Sequence, residues 1–181
     1  MGQRLVVELE ENNNLIASIY YHWSAYFSPT IQELKFLSDD ILEAEQKNED
    51  VLLAILKGLE KRGGGLRGMP EDLVEAKKLF PTYEFKDPEQ VSRNDGIITF
   101  IPGGMESFYN WADGMARIYL DTHKIINMCL EEPEPFEIQT QGGVPQCVIY
   151  KNIMCPVNPT EMTCESVRTL YEFMDKRFME G

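Results

Sequence analysis

Apolar residues recur at every second position in Leu5, Val7 and Leu9 and again in Ala17, Ile19 and Tyr21, with Asn12, Asn13 and Asn14 between the two runs. A period of two is that of a half-buried strand, and an Asn-rich break between two such runs predicts a β-hairpin over residues 3–24. A three-residue loop at Asn12, Asn13 and Asn14 puts Glu11 across from Leu15. Leu5, Val7 and Leu9 then lie opposite Tyr21, Ile19 and Ala17, forming one apolar face that continues to Trp23. The other face carries Arg4, Val6, Glu8 and Glu10 opposite His22, Tyr20, Ser18 and Ile16.

The period then lengthens to that of a helix. Thr30 and Glu33 have capping-box spacing ahead of the stripe Ile31, Leu34, Leu37, Ile41 and Ala44, which predicts a helix over 30–46. A second helix is expected from Asn48 to the glycines at 63–65, and a third from Pro70 to Phe80, so that 29–80 is a helical segment. Between 97 and 152 the pattern returns to strands. Ile97–Ile101 is one, and 104–114 reads as a short helix. A hairpin follows with its turn near Thr122 and His123, and Cys147–Asn152 is a further strand. Asn158 and Pro159 open a C-terminal helix over 159–179 with Val167, Leu170, Tyr171, Met174 and Phe178 as its apolar stripe. No repeat or linker divides the chain. The expected fold is a single α+β domain over residues 1–181, with a largely antiparallel sheet beginning at the N-terminal hairpin and packed by four or five helices.

Composition places this pattern in a globular protein, with 181 residues and 43% hydrophobic content. Charge changes the picture more. Thirty acidic residues against 17 basic ones give a net charge of −13. Such a field repels nucleic acid, which disfavours free-standing DNA binding, and attracts a basic protein partner. No eighteen-residue apolar run and no leader-like N-terminus occur, so no membrane association is expected and the bacterial host cytoplasm is the expected location. Cys129, Cys147, Cys155 and Cys164 form no close pair of the kind zinc sites use. They read as reduced thiols, and no metal or cofactor is expected.

Standard catalytic and phosphate-binding motifs are missing, so candidate chemistry rests on juxtaposition. The hairpin register places His22, Arg4, Tyr20 and Glu8 on one face. A histidine near neutrality, a cation to stabilise phosphorane-like charge and a carboxylate form a set for metal-independent cleavage of RNA through its 2′-hydroxyl. The alternative makes His22 a half-covered strand residue and Arg4 a surface partner of Glu8. Within RGGGLRG and beside it, Lys61, Arg62 and Arg67 form a basic spot that could contact RNA already held by another protein, or the glycines simply stop a helix in an exposed loop. Asp39, Asp40, Glu43 and Glu45, in a longer acidic run, read as solvated surface or as a partner-binding mimic of nucleic-acid charge. A second acidic stretch occupies 131–137. Tyr21 and Trp23 are expected in the core, and His123 in solvent.

The opening MGQRLVVELE, the hairpin ending in YYHWSAY, and the later RNDGIITF and WADGMARIYLDT look like small phage-borne proteins of Gram-positive bacteria. Among these the chain resembles the type II-A anti-CRISPR proteins of streptococcal mobile elements. The resemblance implies a Cas9 inhibitor whose hairpin, residues 3–24 here, is needed for Cas9-dependent truncation of the guide RNA, with Cas9 and its guide RNA as partners. Two other functions suit the composition: a non-enzymatic acidic inhibitor occupying a basic groove of a defence protein, and a protein that sequesters a nucleotide signal.

Overall fold

Strands β1 (Leu5–Glu11) and β2 (Asn14–Tyr21) form the N-terminal hairpin. Their turn is shorter than the sequence suggests. Asn12 and Asn13 both have positive φ, 53° and 64°, the conformation of a two-residue type I′ turn, which asparagine tolerates better than other side chains. The expected pairings Leu5–Tyr21, Val7–Ile19 and Leu9–Ala17 nevertheless form. Beyond them the register shifts, so that Glu10 faces Leu15 and Glu11 faces Asn14. A β-bulge at Ile16 thus takes up the residue that the three-residue loop was expected to absorb.

The computed structural model describes residues 3–102, 112–127, 136–142, 144–150, 153–155 and 161–174, with side chains described except over 136–140, 144–150 and 153–155. Residues 104–111 of the expected helix at 104–114, Cys129 and most of the acidic stretch 131–137 lie outside the described residues, and the side chains of Cys147 and Cys155 do as well. Ala112 and Asp113 are not helical, and Gly114 opens a strand.

The hairpin is central to a seven-stranded sheet. Its other strands are β3 (Gly65–Leu66), β4 (Ile97–Thr99), β5 (Gly114–Tyr119), β6 (Lys124–Asn127) and β10 (Glu161–Thr163). The order is β10-β6-β5-β1-β2-β4-β3. β1–β5 and β3–β4 run parallel and the other pairs antiparallel, so the sheet is mixed. A separate three-stranded antiparallel sheet contains β7 (Phe136–Gln141), β8 (Val144–Tyr150) and β9 (Ile153–Cys155). Residues 147–150 of the expected strand at 147–152 fall on β8, and 151 and 152 lie outside the described residues.

The described residues contain four α-helices: α1 (Phe27–Gln46), α2 (Val51–Lys61), α3 (Pro70–Leu79) and α4 (Cys164–Met174). Leu5, Val7, Leu9, Ala17, Ile19 and Tyr21 share one buried cluster with Ile31, Leu34 and Leu37 of α1, Ile55 and Leu59 of α2, and Val167 and Leu170 of α4. Truncating any of these large side chains to alanine costs roughly 2–5 kcal/mol. The opposite sheet face holds a smaller cluster of Val6, Tyr20 and Ile97 with Val91 and Ala112 against it. Burial on both faces explains why β1 is buried from Leu5 to Leu9 without a break.

Three helix starts differ from expectation. Thr30 does not cap α1, because its hydroxyl donates to the Ser24 carbonyl at 2.5 Å inside a helix that already begins at Phe27. Asp50, rather than Asn48, caps α2 by accepting from Leu53 N. α4 starts at Cys164 instead of Pro159, since residues 161–163 pair with β6. Thr163 and Ser166 cap it reciprocally: Ser166 N donates to Thr163 Oγ1 at 3.1 Å, and Thr163 N to Ser166 Oγ at 2.8 Å.

Candidate nucleic-acid interface at the hairpin end

Strand β2 stops at Tyr21, and the alternation of faces stops with it. Tyr20 and Tyr21 are buried on opposite sheet faces, whereas Trp23, expected to extend the apolar face, is 45% exposed. His22 between them is half-buried. Its Nδ1 shares a 2.8 Å hydrogen bond with the Tyr20 hydroxyl, and its ring meets Trp23 edge to face with centroids 5.3 Å apart.

A distant segment completes this corner. Residues 92–96 cross the end of the hairpin, anchored by Ser92 N donating to Gly63 O at 2.9 Å and His22 N donating to Arg93 O at 3.1 Å. Gly96 makes the crossing feasible: its φ is +106°, and a Cβ there would stand 2.7 Å from Tyr21 Cε1 and 2.9 Å from Leu59 Cδ2. Arg93 is thereby brought to His22. Arg4 arrives at the start of β1, where its backbone N–H donates to Asp113 Oδ2 at 2.8 Å and its carbonyl accepts from Asp113 N.

Electrostatics at the corner favour an anion. The His22 pKa is lowered, first by burial and then by the positive charges of Arg93 and Arg4, so the ring is neutral at neutral pH. Other described arginines are neutralised by carboxylates: Arg62 by Asp40, Arg67 by Asp72, Arg117 by Glu8 and Glu10, Arg168 by Asp39. Among the described residues, Arg4 and Arg93 form no such ion pair. Two uncompensated guanidiniums, a neutral imidazole and an exposed indole together suit a phosphate and a stacked base.

The remaining candidate residues are distributed elsewhere. Glu8 is 5% exposed, its carboxylate 3.0 Å from Arg117, and it stands four residues along β1 from Arg4, roughly 13 Å. The structure therefore brings Tyr20 and Arg4 to His22 but not Glu8. Arg62 lies over the Phe36 ring, 5.1 Å from its centroid, while it holds Asp40 at 3.0 Å. Arg67 holds buried Asp72 through two bonds of 2.6 and 3.2 Å. Lys61 is exposed. The glycines of RGGGLRG do not form an open loop: Gly65 and Leu66 are a strand, and a Cβ on Gly64 would collide with the Gly96 carbonyl oxygen. They let two backbones approach each other rather than a phosphate.

The acidic candidates lie along α1 with internal partners. Asp39 meets Lys35 and Arg168 at 2.7 and 3.0 Å, Glu43 meets Lys47 at 2.7 Å, and Glu45 meets His123 at 2.7 Å. Burial raises the Asp40 carboxyl against the opposing pull of Arg62. Beside it, burial pushes Glu33 up to about 7, and the fully buried Tyr21 hydroxyl has no hydrogen-bond partner among the described residues. Cys164 is buried and its thiol is pushed up to about 11 by desolvation, which leaves it unreactive. Among the described residues no group of three or more His, Cys, Asp or Glu side chains is placed to hold a metal ion, and no helix is long and apolar enough to cross a membrane.

No protein-family model, curated protein or solved structure matches this chain. The site therefore rests on its own geometry. Arg93 and Glu33 were not identified from sequence. Arg93 sits in a turn-like SRNDG stretch whose only local signal is the turn itself, and Glu33 reads as a helix-capping residue.

Proposed function

We propose that this protein is an anti-defence inhibitor that docks on a Cas9–guide RNA complex and engages the guide RNA through the end of its hairpin. The observation that carries this reading is the convergence of Arg4 and Arg93, without carboxylate partners among the described residues, on half-buried His22 beside exposed Trp23 in a chain of net charge −13. The overall field repels free RNA, so RNA reaches this corner only when a basic protein presents it. Tyr20 holds Nδ1 of the neutral imidazole, and Nε2 remains for proton transfer. His22 accepts the 2′-hydroxyl proton as that oxygen attacks the neighbouring phosphorus. The 5′-oxygen leaves and takes a proton from solvent, while Arg4 and Arg93 stabilise the phosphorane charge. Occupation of a basic groove by acidic mimicry is less favoured, because Asp39, Asp40, Glu43 and Glu45 already have cationic or imidazole partners.

The test is a denaturing gel of labelled guide RNA incubated with the protein, with and without Cas9. The expected result is a shortened guide only when Cas9 is present, absent with His22→Ala, slowed at least about tenfold with Arg93→Ala, and unchanged with Glu8→Gln. An intact guide in every lane overturns the cleavage reading.

A further inference from the structure

Arg93 also lines a cavity of about 460 Å³. Leu66, Met69, Pro88, Val91 and Ile97 supply its apolar walls, and Arg67 and Arg93 its charge. We infer that this cavity binds one nucleotide unit, its base among the apolar walls and its phosphate on Arg93. This rests on the nucleic-acid reading of the His22 corner, which Arg93 joins to the cavity.

Three features specify that ligand class. The volume falls within the roughly 300–1,000 Å³ of small-ligand sites, whose walls are mostly apolar with a few placed polar groups. Of the two arginines, Arg67 is committed to Asp72 at 2.6 Å, so among the described residues Arg93 is the cation left for an anion. The third feature is the edge of the sheet. Strand β3 is the terminal strand, and Gly65 N and Arg67 N donate inward to Gly96 O and Ile98 O. In a parallel ladder the intervening residue faces the other way, so Leu66 presents a backbone N–H and C=O outward at the cavity wall. An adjacent donor and acceptor above an apolar pocket match the edge of a nucleobase, whereas a fatty anion would leave both groups without partners.

The walls are built to hold this shape. Gly68 allows the 66–69 segment to lie against Pro88, since a Cβ there would be 3.2 Å from Pro88 Cβ. Met69 is 48% exposed at the mouth, where its thioether can cover an aromatic ring.

The experiment is calorimetric titration of the full chain with adenosine and uridine 5′-monophosphates, adenosine, ribose 5-phosphate and a 5′-phosphorylated oligoribonucleotide. Saturable binding of a monophosphate is expected, with adenosine and ribose 5-phosphate each weaker by at least about tenfold. Arg93→Gln should bring the monophosphate down to the level of adenosine. Met69→Trp at the exposed mouth and Val91→Phe in the wall should each abolish binding with the far-UV spectrum unchanged. Tighter binding of the oligonucleotide than of the monophosphate identifies an RNA end as the source, and the reverse order identifies a free nucleotide; both support the cavity. No saturable heat with either monophosphate, or unchanged binding in both filling variants, overturns it. An intact guide RNA alongside monophosphate binding removes only the cleavage reading, and truncation without nucleotide binding removes only this one.

Discussion

The imidazole of His123 lies 2.7 Å from the Glu45 carboxylate through Nε2 and 3.1 Å from Glu165 through Nδ1. It links α1 to α4 from a turn where its own φ is +63°. The residue expected to face solvent is instead a partly buried bridge, and its pKa is raised, chiefly by the hydrogen bond to Glu45. A raised histidine stabilises the fold fully below its unfolded value near 6.5, and that stabilisation is lost as pH rises through the folded value.

His123→Asn removes the charge and keeps a side chain that tolerates positive φ. Urea unfolding should show the wild type more stable than this variant at about pH 5.5, by at most about 1 kcal/mol given the solvent exposure of the pair. The gap should shrink toward about pH 8.5. A gap independent of pH would show that the bridge is not charged.

Glu33 gives a second pH dependence with a different window. Burial raises its carboxyl to about 7, reinforced by Asp95 and opposed by Arg62. The unfolded chain therefore releases this proton first, near 4.5, and stability falls as pH rises from there to about 7, then levels. For a partly exposed group the loss is about 1–3 kcal/mol. Glu33→Gln should flatten the stability profile between about pH 4.5 and 7 and unfold at higher denaturant than wild type at about pH 8. An unchanged profile would place the Glu33 carboxyl in water.

Asp72 is fully buried, accepting from Arg67 Nε at 2.6 Å and from Thr99 Oγ1 at 2.5 Å. Removing one member of such a pair strands the other, at a cost of about 3–5 kcal/mol. Asp72→Ala should lose about that much in chemical denaturation, and the double variant Arg67→Met/Asp72→Leu should recover a large part. Additive losses in the double variant would mean the two side chains are not coupled.

Two glycines separate steric space from backbone conformation. Gly64 has no positive φ, but a Cβ there would collide with the Gly96 carbonyl, whereas Gly142 has φ +59° and nothing among the described residues within 4 Å of its Cβ position. Gly64→Ala should destabilise by about 3 kcal/mol or more because backbone cannot yield. Gly142→Ala should cost about 1–2 kcal/mol, from the left-handed backbone alone. Thermal melts of both variants measure the difference, and equal losses would contradict it.

The sequence by itself determined the features that depend on neighbours along the chain. The two-residue period of Leu5, Val7 and Leu9 and of Ala17, Ile19 and Tyr21 specified the hairpin and its two faces, and the 3.6-residue stripe of Ile31, Leu34, Leu37 and Ile41 specified α1. Parity alone placed Tyr20 and His22 together. Only the tertiary structure decided which distant groups meet. Glu8 finds Arg117 across 109 positions and Arg62 finds Asp40 across 22, while the parallel pairing of β1 with β5 and the approach of Arg93 to His22 depend on where remote segments return. Trp23 shows the limit most directly: periodicity predicts a side chain's face only while the strand continues, and β2 ends at Tyr21. Charge partners obey no period at all. They are chosen by packing, which is why the acids of α1 read as an open anionic surface in the sequence and are paired in the fold.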